Sequence, residues 1–320
     1  MIPFEPIRLF AFGGFNVPIV ISLLIIGGGM LWLLIRSLKA KEVDRRIVFV
    51  FIFAAVSAPL LFEITFDETA TPIVKGVFEK IENMPERSRI VIAFDFDPAM
   101  APEVQPMANA VIRHALAKNH RLIFISLWAT GQALMDKTIS EIIPAEFPQK
   151  QDGIDYVSLG YKAGNEGVLN VIVSNVKKMF PTDVNGVPLT DIAIFNGVRS
   201  MKDVDMVMAV GGGKPGPKEW VLFVGDAPGG PPVAVGVAAV VAPQMYPYYP
   251  KQVLGILGGI KGAAEYESEL LHNYPRFAEQ DTPGLRMMGP QTLAHVVIMA
   301  FIIFGNLAFF IGGRHKEKRL

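Results

Sequence analysis

Three long apolar stretches constrain this chain more than any other feature of its sequence. Residues 17–35 carry no charged side chain, residues 47–64 carry one acid at their far end, and residues 293–311 include His295 and Asn306 as their strongly polar members. A helix rises ~1.5 Å per residue, so each stretch nearly crosses a hydrocarbon core of roughly 30 Å. We therefore predict three transmembrane helices and a lipid bilayer as one partner.

Composition places the remaining residues in one domain between these stretches. Hydrophobic residues make up 51% of the chain and charged residues 19%, and the mean hydropathy is +0.37. The apolar excess lies at the two ends, which leaves room for one globular domain of about 230 residues. We predict two transmembrane helices with a short basic loop in residues 1–64, an α/β domain in residues 65–290, and a third transmembrane helix with a basic tail in residues 291–320.

Basic residues beside the apolar stretches predict the orientation in the membrane. The link between the first two stretches reads RSLKAKEVDRR, and the tail after the third reads GGRHKEKRL. Lysine and arginine are retained on the cytoplasmic side, so both segments are expected there. The N-terminus and the central domain are then expected outside the cell membrane. Glu5, the single Arg8 and the length of the first stretch favour a retained span over a cleaved signal.

Charge and cysteine usage exclude several classes of function. The chain has no cysteine, which removes disulfides, thiol catalysis and cysteine-ligated metal sites. Residues 63–290 contain 20 basic and 26 acidic side chains, a balance that argues against nucleic acid as a partner. The five histidines lack the spacing of metal ligands. We predict neither a metal site nor a bound cofactor.

The central domain alternates between strand and helix signals. RIVIAFDF at 89–96 is a continuous apolar run typical of a buried parallel strand, and an amphipathic helix is predicted after it at 103–118. This alternation predicts an α/β fold, Rossmann-like or flavodoxin-like, with a mainly parallel sheet covered by helices on both faces. The other predicted strands are 121–127, 155–159, 191–195, 220–224 and 233–241, and the last helix is 251–271; residues 201–208 form a short helix or a strand.

Acidic residues at predicted strand ends form the sharpest chemical pattern. FDFDP contains Asp95 and Asp97, FISL contains Ser126, and FVGDAP contains Asp226. The pattern is similar to the haloacid-dehalogenase phosphatase superfamily. That resemblance implies Asp95 as nucleophile, Asp97 as acid/base, Ser126 on the phosphate and Asp226 on Mg²⁺. The first motif lacks the Gly-Thr that follows in that family, and the late motif lacks a second acid. Aspartate at a strand end is also a common turn or cap residue.

Two further groups are candidates for small-ligand binding. In a parallel sheet, ligands lie outside the carboxyl ends of the strands, where Ser126, Gly160, Tyr161 and Asn196 are predicted. The loop GYKAGNEG at 160–167 enters a helix, and its amide groups, including that of Gly164, could hold an anion. Capping of that helix explains the same residues.

A tyrosine-rich loop and a glycine-rich segment predict contact surfaces. MYPYYPKQ places Tyr246, Tyr248 and Tyr249 among prolines, and such rigid aromatic loops make good contact surfaces. LGILGGIKGAAEYE contains Gly255 and Gly259 at a G-x-x-x-G spacing within the predicted last helix. Glycine in a helix interior costs roughly 1 kcal/mol relative to alanine, which close approach to another backbone would offset. Packing within the domain is the alternative for both segments.

Two segments resemble a second family. DYVSLGYKAGNEGVLN and YYPKQVLGILGGIKGAAEYE are similar to segments of a family of uncharacterised bacterial membrane proteins with this span–domain–span layout, which implies the architecture alone.

Three hypotheses about function follow from the sequence. The chain is a non-enzymatic subunit or scaffold that assembles with other membrane-protein subunits or as a homo-oligomer, a magnesium-dependent phosphohydrolase, or a small-ligand sensor.

Overall fold

A computed structural model describes residues 11–12, 15–16, 27–29, 31–32, 35–36, 45–61 and 68–317 of the chain. The chain divides into two compact units. One comprises residues 67–285 and holds the sheet. The other comprises residues 1–66 with 286–320 and holds apolar helices.

Six parallel strands form the central sheet of the first unit. They are β1 (Arg89–Asp95), β2 (Arg121–Ser126), β3 (Tyr156–Tyr161), β4 (Met206–Gly211), β5 (Val233–Val237) and β6 (Val253–Gly258). Their order across the sheet is β3-β2-β1-β4-β5-β6. This is the strand order of the dinucleotide-binding doubly wound sheets. The prediction of a parallel α/β fold is confirmed.

Ten α-helices are described, and those between residues 67 and 285 cover the sheet. The helices are α1 (Arg45–Leu61), α2 (Pro72–Asn83), α3 (Ala101–Ala117), α4 (Ala129–Glu146), α5 (Glu166–Ile172), α6 (Val176–Met179), α7 (Pro217–Glu219), α8 (Ala242–Met245), α9 (Gly259–Asn273) and α10 (Pro283–Glu317). A π-helix, Trp220–Gly225, directly follows α7.

Alternate residues of each strand point to opposite faces, so the sheet separates two apolar cores. Ile90, Ile92 and Phe94 of β1 belong to the core under α2, α3, α4 and α9. Val91 and Ala93 belong to the other core, together with α5 and the π-helix. Both faces are therefore buried, which is why the strands read as nearly continuous apolar runs.

Three predicted elements are wrong. Residues 191–195 contain the 3₁₀ turn Ala193–Phe195 and not a strand. Residues 251–271 are not one helix, since β6 occupies Val253–Gly258 and α9 begins at Gly259. The boundary between this strand and this helix lies at Gly259, whose φ of +63° turns the chain from one into the other. Residues 201–208, left open between helix and strand, contain a 3₁₀ turn and then enter β4.

The third wrong element is the strand predicted at 220–224, which is the π-helix. Pro217 begins α7 and the Glu219 side chain accepts a hydrogen bond from the backbone N–H of Gly216 (2.9 Å), so a helix start precedes the apolar residues. Trp220, Val221 and Val224 are buried while Leu222 is exposed. Buried positions spaced in this way are typical of a helix. The sequence alone does not show that spacing, because five apolar residues in a row also suit a buried strand.

The unit at the chain ends contains apolar helices with exposed apolar side chains. Among the residues that the structure describes, Pro283–Leu307 is the one helix long and apolar enough to cross a membrane, and Arg46–Leu61 is a shorter apolar helix. The structure thus supports one of the three predicted spans. The first predicted span, residues 17–35, lies mostly outside the described residues.

Candidate functional site

The strand order places a topological switch point between β1 and β4. The chain leaves β1 toward β2 on one side and enters β4 on the other, and Asp95 pairs in register with Gly211 where both strands end. Sheets of this type bind ligands in the crevice outside this point. The carboxyl ends of β1, β2 and β4 are therefore the candidate site.

Asp95 is buried at this point with both carboxylate oxygens hydrogen-bonded. Oδ1 accepts the backbone N–H of Leu127 (2.7 Å) and Oδ2 accepts the indole N–H of Trp220 (2.7 Å). Burial raises the pKa of Asp95 to about 7, although these two hydrogen bonds act in the opposite direction. The carboxyl group joins the ends of β1 and β2 to the π-helix and has no solvent-exposed oxygen.

Side chains and glycine-rich backbone fill the crevice itself. A Cβ atom at Gly211 would collide with the carbonyl group of Asp95, and one at Gly213 would collide with the indole ring of Trp128. A Cβ atom at Gly212 would lie 2.6 Å from the sulfur of Met100. The indole N–H of Trp128 donates to the carbonyl of Pro215 (2.6 Å). Gly212 and Gly213, which follow β4, let this loop pack directly against Met100 and Trp128, at the edge of the sheet where this fold places a ligand.

Ser126 lies at the same edge, and its hydroxyl group is bound to backbone. Its Oγ lies 2.6 Å from the carbonyl oxygen of Phe94 and 2.7 Å from that of Trp128, and it accepts the N–H of Trp128 (3.1 Å). Ser126 is fully buried, and Gly131 packs so closely that a Cβ atom there would lie 2.6 Å from its Oγ. The structure brings Ser126 near Asp95, and both side chains serve to lock the turn after β2.

Asp97 and Asp226 do not join Asp95. Asp97 is half-buried and accepts the backbone N–H of Met100 (3.0 Å), just before α3 begins. Asp226 is exposed and accepts a hydrogen bond from Gln252 (2.5 Å), which directly precedes β6 at the amino edge of the sheet. The π-helix carries the chain from Asp95 to that opposite edge. Among the described residues, no three histidine or carboxylate side chains are arranged to hold a metal ion.

The other predicted ligand-binding residues are dispersed. Gly160 has φ +73° and is buried, Tyr161 donates its N–H to Gln132 (3.1 Å), and Gly164 is exposed. Gly160 and Tyr161 end β3, the edge strand two strands away from β1, and Gly164 follows it. Asn196 lies at the amino edge, because its carbonyl accepts from Arg89, the first residue of β1 (2.8 Å). The structure therefore does not gather Gly160, Tyr161, Gly164 and Asn196 into one site.

The predicted contact residues divide into an exposed and a packed group. Tyr246 is 53% exposed, and Val240, close by in the same β5–β6 connection, is 82% exposed. Tyr248 and Tyr249 pack against the core on that face of the sheet. Val240 and Tyr246 are called the β5–β6 patch below.

The glycine-helix prediction is wrong for Gly255 and Gly259. Gly255 lies within β6, and Gly259 is the first residue of α9. A Cβ atom at Gly255 would collide with the carbonyl of Ile73 and lie 2.5 Å from the Val77 side chain. Gly255 therefore allows α2 to pack closely on β6 within the domain.

A buried polar network was missed by sequence reasoning. His114 Nδ1 lies 2.7 Å from the Tyr266 hydroxyl and Nε2 lies 3.0 Å from Glu82, which also accepts from Tyr274 (2.6 Å) and Lys118 (3.0 Å). Burial lowers the pKa of His114 to about 4. Burial acts to raise the pKa of Glu82, but the hydrogen bonds that it accepts outweigh burial and lower the pKa to about 2.

The charge states fix the direction of these hydrogen bonds. An ionised Glu82 can only accept, so His114 carries its proton on Nε2 and accepts the Tyr266 hydroxyl hydrogen on Nδ1. His114 lies in α3 and is fully buried. The signal that could have placed it is its position three residues after Val111, on the apolar side of α3.

No protein-family model matches the chain, and no curated protein matches it. The resemblances to the phosphatase superfamily and to the bacterial membrane family therefore rest on the quoted segments alone.

Proposed function

We propose that this chain is a membrane-anchored, non-enzymatic subunit or scaffold of a membrane-associated assembly. The observation that carries the proposal is the filled crevice at the switch point. The place where a substrate would lie in this fold is occupied by Trp128, Met100 and the glycine loop. Both carboxylate oxygens of Asp95 accept hydrogen bonds from N–H donors. A site built this way contributes to stability, and Asp95 itself is fully buried.

Exposed apolar side chains on the terminal helices support the membrane anchor. In α10, one side packs against α1 through Leu293 and Val297, which enclose Ala55. The remaining surface of the two helices exposes large apolar side chains that water would solvate poorly. These are Phe49, Val50, Phe53, Leu60 and Leu61 of α1, and Val296, Ile298, Met299, Ile302, Ile303, Leu307, Phe309 and Phe310 of α10.

The proposal includes three spans, with the central domain outside the cell membrane. Its support is the pair of basic segments, at 36–46 and 314–319, which an even number of crossings separates. Gly29 adds support from the first stretch, since a Cβ atom there would collide with the ring of Phe51 in α1. Such close approach through glycine is typical of helices that pack in a bilayer.

The β5–β6 patch is the proposed docking surface for another subunit. Val240 and Tyr246 are exposed, Tyr246 directly precedes Pro247, and both residues lie outside the two cores. Exposed aliphatic and aromatic side chains of this kind supply apolar binding area. The phosphohydrolase hypothesis receives no such support, because Asp226 lies at the edge opposite Asp95.

The test is the size and composition of the native particle. The full chain should be extracted in a mild detergent and its mass measured by native mass spectrometry. We expect a defined particle larger than one chain, which Val240→Ser weakens. Val184→Ser is the matched control, because Val184 is another exposed valine, outside the patch. A strictly monomeric particle without a second subunit would contradict the proposal.

A further inference from the structure

Asn306 is a polar side chain on the exposed apolar surface of α10. Its amide nitrogen donates to the carbonyl of Ile302 in the same helix (2.9 Å). Among the described residues its amide oxygen has no hydrogen-bond partner, and the side chain is exposed. Asn306 lies eight residues before Arg314, roughly 12 Å along the helix axis. In the proposed membrane placement this depth is within hydrocarbon, where a half-satisfied amide is costly.

Asn306 belongs to a stripe of exposed residues. Met299, Ile302, Asn306 and Phe309 are spaced three, four and three residues apart, so they share one face of the helix. At about 100° per residue, this face lies roughly opposite the side of α10 that packs against α1.

We infer that α10 pairs with α10 of a second copy of this chain through the stripe Met299–Ile302–Asn306–Phe309, with Asn306 of each copy hydrogen-bonded to Asn306 of the other. Two copies inserted with the same orientation place their Asn306 side chains at the same depth. An amide is both donor and acceptor, so two of them related by a twofold axis satisfy each other. Any other partner would have to present a polar group at that same depth.

This inference rests on the proposed membrane anchoring and names one partner in the assembly. Because the chain has no cysteine, single cysteines report contacts without background. Ile302→Cys and Ile303→Cys form a matched pair, since the two isoleucines are adjacent and are 59% and 56% exposed. The full chain should be oxidised in its native membranes and separated on a non-reducing gel. We expect a disulfide-linked dimer for Ile302→Cys and several-fold less for Ile303→Cys.

Asn306 is tested in the Ile302→Cys background. Asn306→Leu should lower the dimer yield several-fold, while Asn306→Gln, which keeps the amide, should retain most of it. Unchanged melting of the α/β domain in these variants shows that folding is intact. Equal cross-linking at both positions, or a yield insensitive to Asn306→Leu, overturns the inference.

The result also separates this inference from the proposed function. If neither cysteine cross-links but the detergent particle contains a different subunit in fixed stoichiometry, self-pairing is wrong and the scaffold function stands. If the particle is a monomer with no second subunit of any kind, both are wrong.

Discussion

The carboxyl group of Asp95 meets two N–H donors and no solvent, and that environment decides its role. In the sequence, Asp95 and Asp97 look alike, since both follow a phenylalanine at a strand end. In the structure one is a buried hydrogen-bond acceptor and the other accepts the backbone N–H of Met100 in the turn before α3. Residue identity supplies the chemistry, while the donors that surround the residue decide whether that chemistry is available.

Replacing Asp95 with asparagine should destabilise the domain. The amide group would place its own N–H₂ against one of the two donors, Leu127 N–H or Trp220 N–H, and leave that donor unsatisfied. We expect a loss of about 1–3 kcal/mol in the free energy of unfolding. Thermal or urea unfolding of the full chain in detergent measures it. Asp97→Asn is the control, because the amide oxygen of asparagine can accept the Met100 N–H in this turn as the carboxylate does.

His114 should make stability depend on pH. Its folded-state pKa of about 4 lies below the usual 6.5, so the folded state binds fewer protons than the unfolded state between these values. Stability is therefore lost as the pH falls from about 6.5 to 4, by up to about 3 kcal/mol for this group. Glu82 stays ionised throughout this window, because its pKa is about 2.

The measurement compares His114→Phe with the unaltered chain from pH 7 to pH 4. At pH 7 the variant should be less stable, because Tyr266 and Glu82 lose a partner. The difference in the free energy of unfolding between the two chains should narrow as the pH falls, because only the unaltered chain is destabilised by protonation of His114. A gap that stays constant across the range would refute this role.

Among the elements, glycine spacing and apolar runs have different meanings in a strand and in a helix. Gly255 and Gly259 lie four residues apart, as in a helix–helix contact, yet a strand ends and a helix begins between them. The apolar run at 220–224 suits a buried strand and forms a π-helix. Whether an apolar segment becomes a strand or a helix depends on its tertiary contacts, and the local sequence pattern does not contain that information.

Gly255→Ala should destabilise the contact between β6 and α2. The new methyl group would collide with the backbone carbonyl of Ile73, which cannot move without shifting α2. Overpacking of this kind costs about 1–3 kcal/mol, seen as a lower melting temperature. Gly167→Ala in α5 is the control, since a Cβ atom there meets nothing within 4 Å and alanine favours the helix. Equal melting temperatures for the two variants would argue against close packing at Gly255.

At the scale of the whole molecule, the two units bury their apolar side chains differently. The α/β unit has two cores formed by residues between 70 and 277, on opposite faces of its sheet. The terminal unit has a small contact cluster and many exposed apolar side chains. The first unit buries most of its apolar side chains within itself, whereas the described helices of the second leave many of theirs exposed.

Residues 68–285 expressed alone should therefore fold and remain soluble without detergent. We expect a cooperative thermal transition and a circular dichroism spectrum of mixed helix and strand. The full chain, which adds the exposed apolar helices, should stay with membranes and require detergent. Aggregation of residues 68–285, or a full chain that is soluble without detergent, would contradict this division.

Local sequence signals determined the elements whose formation depends on neighbouring residues along the chain or on apolar character alone. The apolar stretches, the buried runs of β1 and β2, and the helices α2, α3 and α4 follow from composition and periodicity over windows of a few turns. Alternation of these elements sufficed for a parallel α/β sheet.

Only the tertiary structure decided which candidate groups are available. Asp95 is bound by Trp220, 125 residues away, and the loop that fills the crevice beside it comes from the far side of the switch point. Asp226 and Asn196 reach the opposite edge because the segments before them are helical turns and not strands. Burial and hydrogen-bond partners depend on residues that are distant in the chain, so a pattern of neighbours along the sequence does not determine them.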